Sequence, residues 1–141
     1  MKREIKFRGK VKGTTSASDW VYGSLLIYGD GEHNIFVPRK HNYKLDSWNV
    51  EPSTVGQFSG LKDKNGKEIY EGDIFTVNGK YPKLVEYRED RAAFCVANVD
   101  ELGKEWFDPW QQPAPDWWND FSREIVVIGN KFDNPELYVE V

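Results

Sequence analysis

Between Val55 and Val77 the chain sets short apolar or aromatic stretches on either side of Asp63-Lys64-Asn65-Gly66. Such a stretch folds back on itself. Asn-Gly tolerates the positive φ angles that a tight hairpin turn demands, and the flanking residues favour extended backbone. The same punctuation recurs at Gly29-Asp30-Gly31 and Asn78-Gly79, so reversed extended segments, and not long helices, dominate the reading.

Around this hairpin the remaining strands follow from period-two alternation and from β-type runs. Ile5, Phe7 and Val11 alternate with Lys6, Arg8, Lys10 and Lys12, which predicts a half-buried strand with one basic face. Gly13 to Asp19 is a polar turn region, and Trp20 to Tyr28, Asn34 to Val37, Ile74 to Val77, Leu84 to Tyr87, Ala92 to Val99 and Glu124 to Gly129 read as further strands. Pro38 to Pro52 reads as irregular, anchored by Trp48 and Val50. Glu71-Gly72-Asp73 marks a sharp bend. Asn134 and Pro135 suit the start of a last short helix, with Glu136 beside its dipole. Short strands at close spacing, without βαβ alternation, predict a mainly β fold. The expected form is a small, strongly bent antiparallel barrel or roll with one or two short helices. At 141 residues the chain has the size of one domain, spanning 1–141, or of two small lobes sharing a core.

Composition narrows the function classes. A net charge of −4 argues against a generally nucleic-acid-binding surface. The lone Cys95 rules out an internal disulfide framework, and within Ala-Phe-Cys-Val-Ala it reads as a small buried hydrophobe. No apolar run follows the N-terminal charges, and none approaches the roughly twenty residues of a membrane span. A cytoplasmic location is the expectation. Aromatic residues make up 15% of the chain and include six Trp, the compositional anomaly that needs explaining.

Four blocks resemble the YopX family of phage and prophage proteins: Arg3 to Arg8, Val21-Tyr22-Gly23, Val50 to Ile74, and Ile128 to Leu137. The resemblance implies a viral or prophage origin and a β-rich fold related to SH3-like barrels. It brings no catalytic residue with it. Two departures stand out: Gly9-Lys10-Val11 replaces the Ala-Trp-Asp common in the family, and the Trp-rich run from Trp106 to Phe121 looks like an elaboration.

Candidate chemistry is sparse. Glu68, Glu71 and Asp73, with Asp63 across the turn, could ligate Mg²⁺ or share acid and base roles. A turn explains them more simply, with Gly72 bending the chain and Asp73 accepting nearby backbone amides. His33 and His41 lack the further ligands a zinc site needs, and no nucleophile elbow, phosphate loop or dinucleotide fingerprint is present. The sequence therefore predicts a protein that is not an enzyme, with no catalytic residue, no metal and no cofactor.

Two segments are candidates for binding. Lys6, Arg8, Lys10 and Lys12 form a basic stripe that could neutralise nucleic-acid phosphates, or could simply be a solvated strand face. The second runs from Glu105 to Phe121 and holds Trp106, Trp110, Trp117 and Trp118 among Glu105, Asp108, Asp116 and Asp120, with no cation between Lys104 and Arg123. Its acidity suits a protein partner better than nucleic acid, and three prolines lower the entropy cost of presenting it. Alternatively these rings cover the open end of a small barrel, or line a small-ligand groove. The sequence reading is a phage-derived, non-enzymatic protein-binding module that associates with itself or with a host or phage protein. Nucleic-acid binding by the N-terminal strand is the alternative.

Overall fold

The computed structural model describes residues 4–13 and 19–137. Arg3 and most of the polar turn read between Gly13 and Asp19 lie outside the described residues. The chain divides into two compact units, Met1–Gly60 and Leu61–Val141. Both are built from antiparallel strands, so the fold is mainly β, and among the described residues the helices amount to a few single turns.

In the first unit, β1 (Phe7–Lys10) lies between β2 (Trp20–Ile27) and β5 (Gly56–Lys62). β2 pairs in turn with β3 (His33–Pro38), and β3 with β4 (Leu45–Val50). The hydrogen-bonded strands form an open sheet. A single bridge between Val11 and Val50 also ties the end of β4 to the residue after β1. Hydrogen bonds from Lys12 N to Asn49 O (2.8 Å) and from Glu51 N to Lys10 O (2.9 Å) flank that bridge. Ile35, Val50 and Phe58 form the buried apolar interior. Glycine is required at position 23, where a Cβ would stand 2.1 Å from the Phe36 carbonyl oxygen.

Two expectations need correction here. Residues 38–52 are not irregular, because β4 occupies Leu45–Val50 and pairs along its length with β3. Only Val50 of this strand is buried, so its sequence carries no clean alternation, and Trp48 is exposed. The faces of β1 also differ from the simple alternation. Ile5 is exposed, whereas Arg8 is only 4% exposed. Cross-strand pairing sets Trp20 opposite Lys10 and Tyr22 opposite Arg8. The Trp20 ring then covers the Arg8 guanidinium at 4.6 Å, a cation–π contact that hides the charge from water.

In the second unit, the turn at Asp63–Lys67 reverses the chain from the end of β5 into β6 (Glu68–Tyr70). Gly72, at φ +87°, bends the chain into β7 (Asp73–Val77). Asn78 and Gly79, at φ 54° and 75°, then form the two-residue turn into β8 (Lys80–Arg88). β9 (Ala93–Asn98) and β10 (Ile125–Asn130) complete a four-stranded sheet in the order β10-β7-β8-β9. This sheet is buried on both faces. Phe75, Val85, Val96 and Val127 point to one side, and Ile74, Leu84 and Ala97 to the other. Near-continuous apolar strands follow from such double burial, with each large side chain contributing about 1.5–3 kcal/mol. The C-terminal helix is a single tight turn, Pro135–Leu137, that begins after Asn134 as the sequence suggests.

Candidate functional site

The sheet of the second unit creates a problem that the Trp-rich segment solves. Both faces and the edge at β9 need cover, because an open strand edge invites pairing with other chains. Gln111 exchanges two backbone hydrogen bonds with Val96, each 2.8 Å, and so caps that edge. Before Gln111, Trp110 packs against the cluster formed by Ile74, Leu84 and Ala97. Beyond it, α1 (Pro115–Trp118) carries Trp117 and Trp118 onto the opposite face, where Trp118 meets Phe75 edge-on with ring centres 5.7 Å apart. The segment thus wraps from one face of the sheet, around its edge, to the other.

Arginines lock this wrapping at both ends. Arg91 donates to Asp108 and to the Trp110 carbonyl, and Arg88 stacks on the Trp110 ring at 4.9 Å. Arg123 lies 5.0 Å from the Trp117 ring centre and donates to the Trp117 carbonyl (2.8 Å) and to Asp120 (3.1 Å). Hydrogen bonds from the Ser122 hydroxyl and amide, aided by Arg123, hold the Asp120 carboxyl below the usual range.

What remains outside is specific. Trp106 is 99% exposed, Phe107 is half exposed, and Phe121 stands fully in solvent. Trp106 also sits at φ +69°, a conformation that bulky side chains rarely adopt. Of the four tryptophans singled out in the sequence, three therefore have packing roles and one projects. Phe107 and Phe121 were not singled out. Their signal was the same as that of the tryptophans, large rings in a polar, proline-rich run.

Beneath the wrap, Lys83, Val96, Gln111, Pro113 and Trp117 line a groove of about 260 Å³. The Lys83 ammonium donates to Asn98 Oδ1 at 2.6 Å, and Asn98 Nδ2 donates to Glu101 at 2.8 Å. Burial pushes the Lys83 pKa below its ordinary value, partly offset by Glu101 and Asp100.

The other candidates are dispersed. Lys6 is 3.0 Å from Glu4, Lys12 is 3.5 Å from Glu32, Lys10 lies over the Trp20 ring at 5.8 Å, and Arg8 is buried. They do not make one solvent-facing cationic row. Asp73 is buried and accepts the Tyr70 amide at 2.8 Å, as a turn aspartate does, while Glu68 accepts the Tyr70 hydroxyl at 3.1 Å. Among the described residues, no group of three His, Cys, Asp or Glu side chains converges to hold a metal ion. His33 Nδ1 is 2.8 Å from the Gly31 carbonyl oxygen, and Cys95 is fully buried in β9. No described helix is long and apolar enough to cross a membrane.

The model of the YopX protein family matches residues 6–138, nearly the whole chain. The chain belongs to the YopX family. Among solved structures, the crystal structure of protein EF1440 from Enterococcus faecalis is similar, with a TM-score of 0.56 at 20% identity, covering 98% of this chain and 100% of that one. At that identity the likeness speaks for a shared fold alone. None of the curated proteins compared with the chain matches it. Two residues within the matched span hold structural positions. A Cβ at Gly129 would lie 2.3 Å from Asn134 Oδ1, and Asp63 turns the chain between β5 and β6.

Proposed function

We propose that this YopX protein is a non-enzymatic protein-binding module, and that it binds first of all to itself. One observation carries the reading. In a segment where Trp110, Trp117 and Trp118 are packed and Arg91 and Arg123 fix the backbone, Trp106, Phe107 and Phe121 are turned outward. Rings held out by a pre-shaped, proline-stiffened loop lose little entropy on binding, and aromatic anchors dominate interface energetics. On this reading the chain is a phage- or prophage-derived accessory protein working in the cytoplasm of a bacterial host. Its first unit is a variation on the SH3-like small barrel, for which the Val11–Val50 bridge is the supporting contact.

The test is a variant carrying Trp106→Asn, Phe107→Ser and Phe121→Ser, compared with the wild type by light scattering over rising concentration. In parallel, cross-links formed in a bacterial extract are mapped by mass spectrometry. The expected result is a wild-type oligomer whose cross-links centre on residues 104–123 and disappear in the variant. A wild type that stays monomeric and gives no cross-links in this segment would overturn the reading.

A further inference from the structure

The acidic character of residues 105–120, read along the chain, is altered by what the fold places beside its far end. The end of β5 and the Asp63 turn bring Lys62 and Lys64 to the same hollow as Phe121 and Arg123. The hollow measures about 370 Å³, with Trp118 and Ile125 also in its wall. Two carboxylates line it as well, and both are engaged. Asp63 accepts the backbone amides of Asn65, Lys67 and Val127, and Asp120 is held by Ser122 and Arg123. Lys64 is 3.2 Å from Glu124, and both partners are well exposed, so that pair is weak and exchanges easily. Lys62 and Lys64 beside the exposed Phe121 ring form a receptor for an aromatic group next to a negative charge.

The same unit displays such a group. Trp106 projects into solvent beside Glu105, and its exposure shows that it does not fill the hollow of its own chain. Building on the protein-binding reading above, we infer that the Glu105–Trp106 tip of one copy enters the hollow formed by Lys62, Lys64, Arg123 and Phe121 on a second copy. The indole packs on Phe121 beside Lys62, and Glu105 meets Lys64. Tip and hollow are different patches, so the contact is head-to-tail and propagates into rings or open chains instead of closing as a symmetric dimer.

A mixing experiment tests this. Trp106→Asn removes the tip while keeping a residue that tolerates positive φ, and Lys62→Glu with Lys64→Glu destroys the hollow. Urea titration of each variant confirms folding. Alone, each should associate at least about tenfold more weakly than the wild type. Mixed in equal amounts, they retain one intact tip and one intact hollow between them. The mixture should therefore form a 1:1 heterodimer and nothing larger. A mixture as monomeric as its components, while the wild type associates, overturns the inference. In that case loss of association in the Trp106, Phe107 and Phe121 triple variant would leave the protein-binding reading standing. Undiminished association of the double glutamate variant also overturns it. So does a monomeric wild type whose hollow binds a fluorescent oligothymidylate at low salt, which would assign the cations to an anionic ligand.

Discussion

Asp63 and Val127, 64 residues apart in sequence, are joined by a hydrogen bond of 3.0 Å from the Val127 amide to Asp63 Oδ2. The other carboxylate oxygen accepts the amides of Asn65 and Lys67, each at 2.9 Å. One buried aspartate thus closes its own turn and pins β10 to it. The carboxylate that looked available for metal chemistry is occupied by backbone.

Replacing Asp63 with Ala should cost about 2–4 kcal/mol, because the Val127 amide, in a buried strand, loses its charged acceptor. Asp63→Asn keeps one acceptor oxygen and should cost clearly less. Urea denaturation of both variants measures this. An Ala variant within ~0.5 kcal/mol of the wild type would show that water replaces the carboxylate at no cost.

Gly129 and Asn134 should be energetically coupled. Gly129→Ala drives a methyl group into the Asn134 carboxamide, whose Cγ would be 2.7 Å away, so a loss of about 2 kcal/mol or more is expected. Asn134→Ala forfeits the bond from the Asn130 amide (3.1 Å) but clears the space. The double variant should then be more stable than the sum of the two single losses predicts. Strict additivity in the double-mutant cycle would show that the clash is relieved by other means.

Tryptophans of the same segment should separate into two groups. Trp118→Ala removes the ring packed on Phe75 and should cost about 2–4 kcal/mol with a visible fall in Tm. Trp106→Asn removes a fully exposed ring and should change stability by no more than about 0.5 kcal/mol. Thermal melts of the two variants decide the matter, and similar losses would contradict the division between packed and projecting rings.

Lys83 makes a pH-dependent prediction. Burial lowers its pKa in the folded chain, so between that value and the ordinary 10.5 the unfolded chain binds more protons than the folded one. Stability supplied by this site therefore rises with pH through that window, and below it the half-buried ammonium carries a penalty. Relative to Lys83→Met, which does not titrate, the wild type should gain stability as pH rises towards 10.5. A stability difference that stays constant with pH would remove burial as the cause.

Local backbone demands were legible in the sequence because a few adjacent residues satisfy them. Asn78-Gly79 takes positive φ at both residues and makes the two-residue turn its composition requires. Asn65-Gly66 looks the same as text, yet only Gly66 is left-handed, and the turn is the longer one closed between Asp63 and Lys67. β4 leaves no such local mark, because a strand buried only at Val50 shows no alternation and its pairing with β3 depends on another segment.

Taken alone, the sequence determined the turns, the strand-rich fold and the family, since these rest on φ preferences and short words that act within a few residues. Tertiary structure decided where each charge and ring ends up. Arg8 is hidden because Trp20 arrives from the neighbouring strand, and the Trp-rich run is divided because it crosses the edge of a sheet with two buried faces. Burial of a side chain depends on surfaces contributed by residues far away in sequence, and no local pattern encodes them.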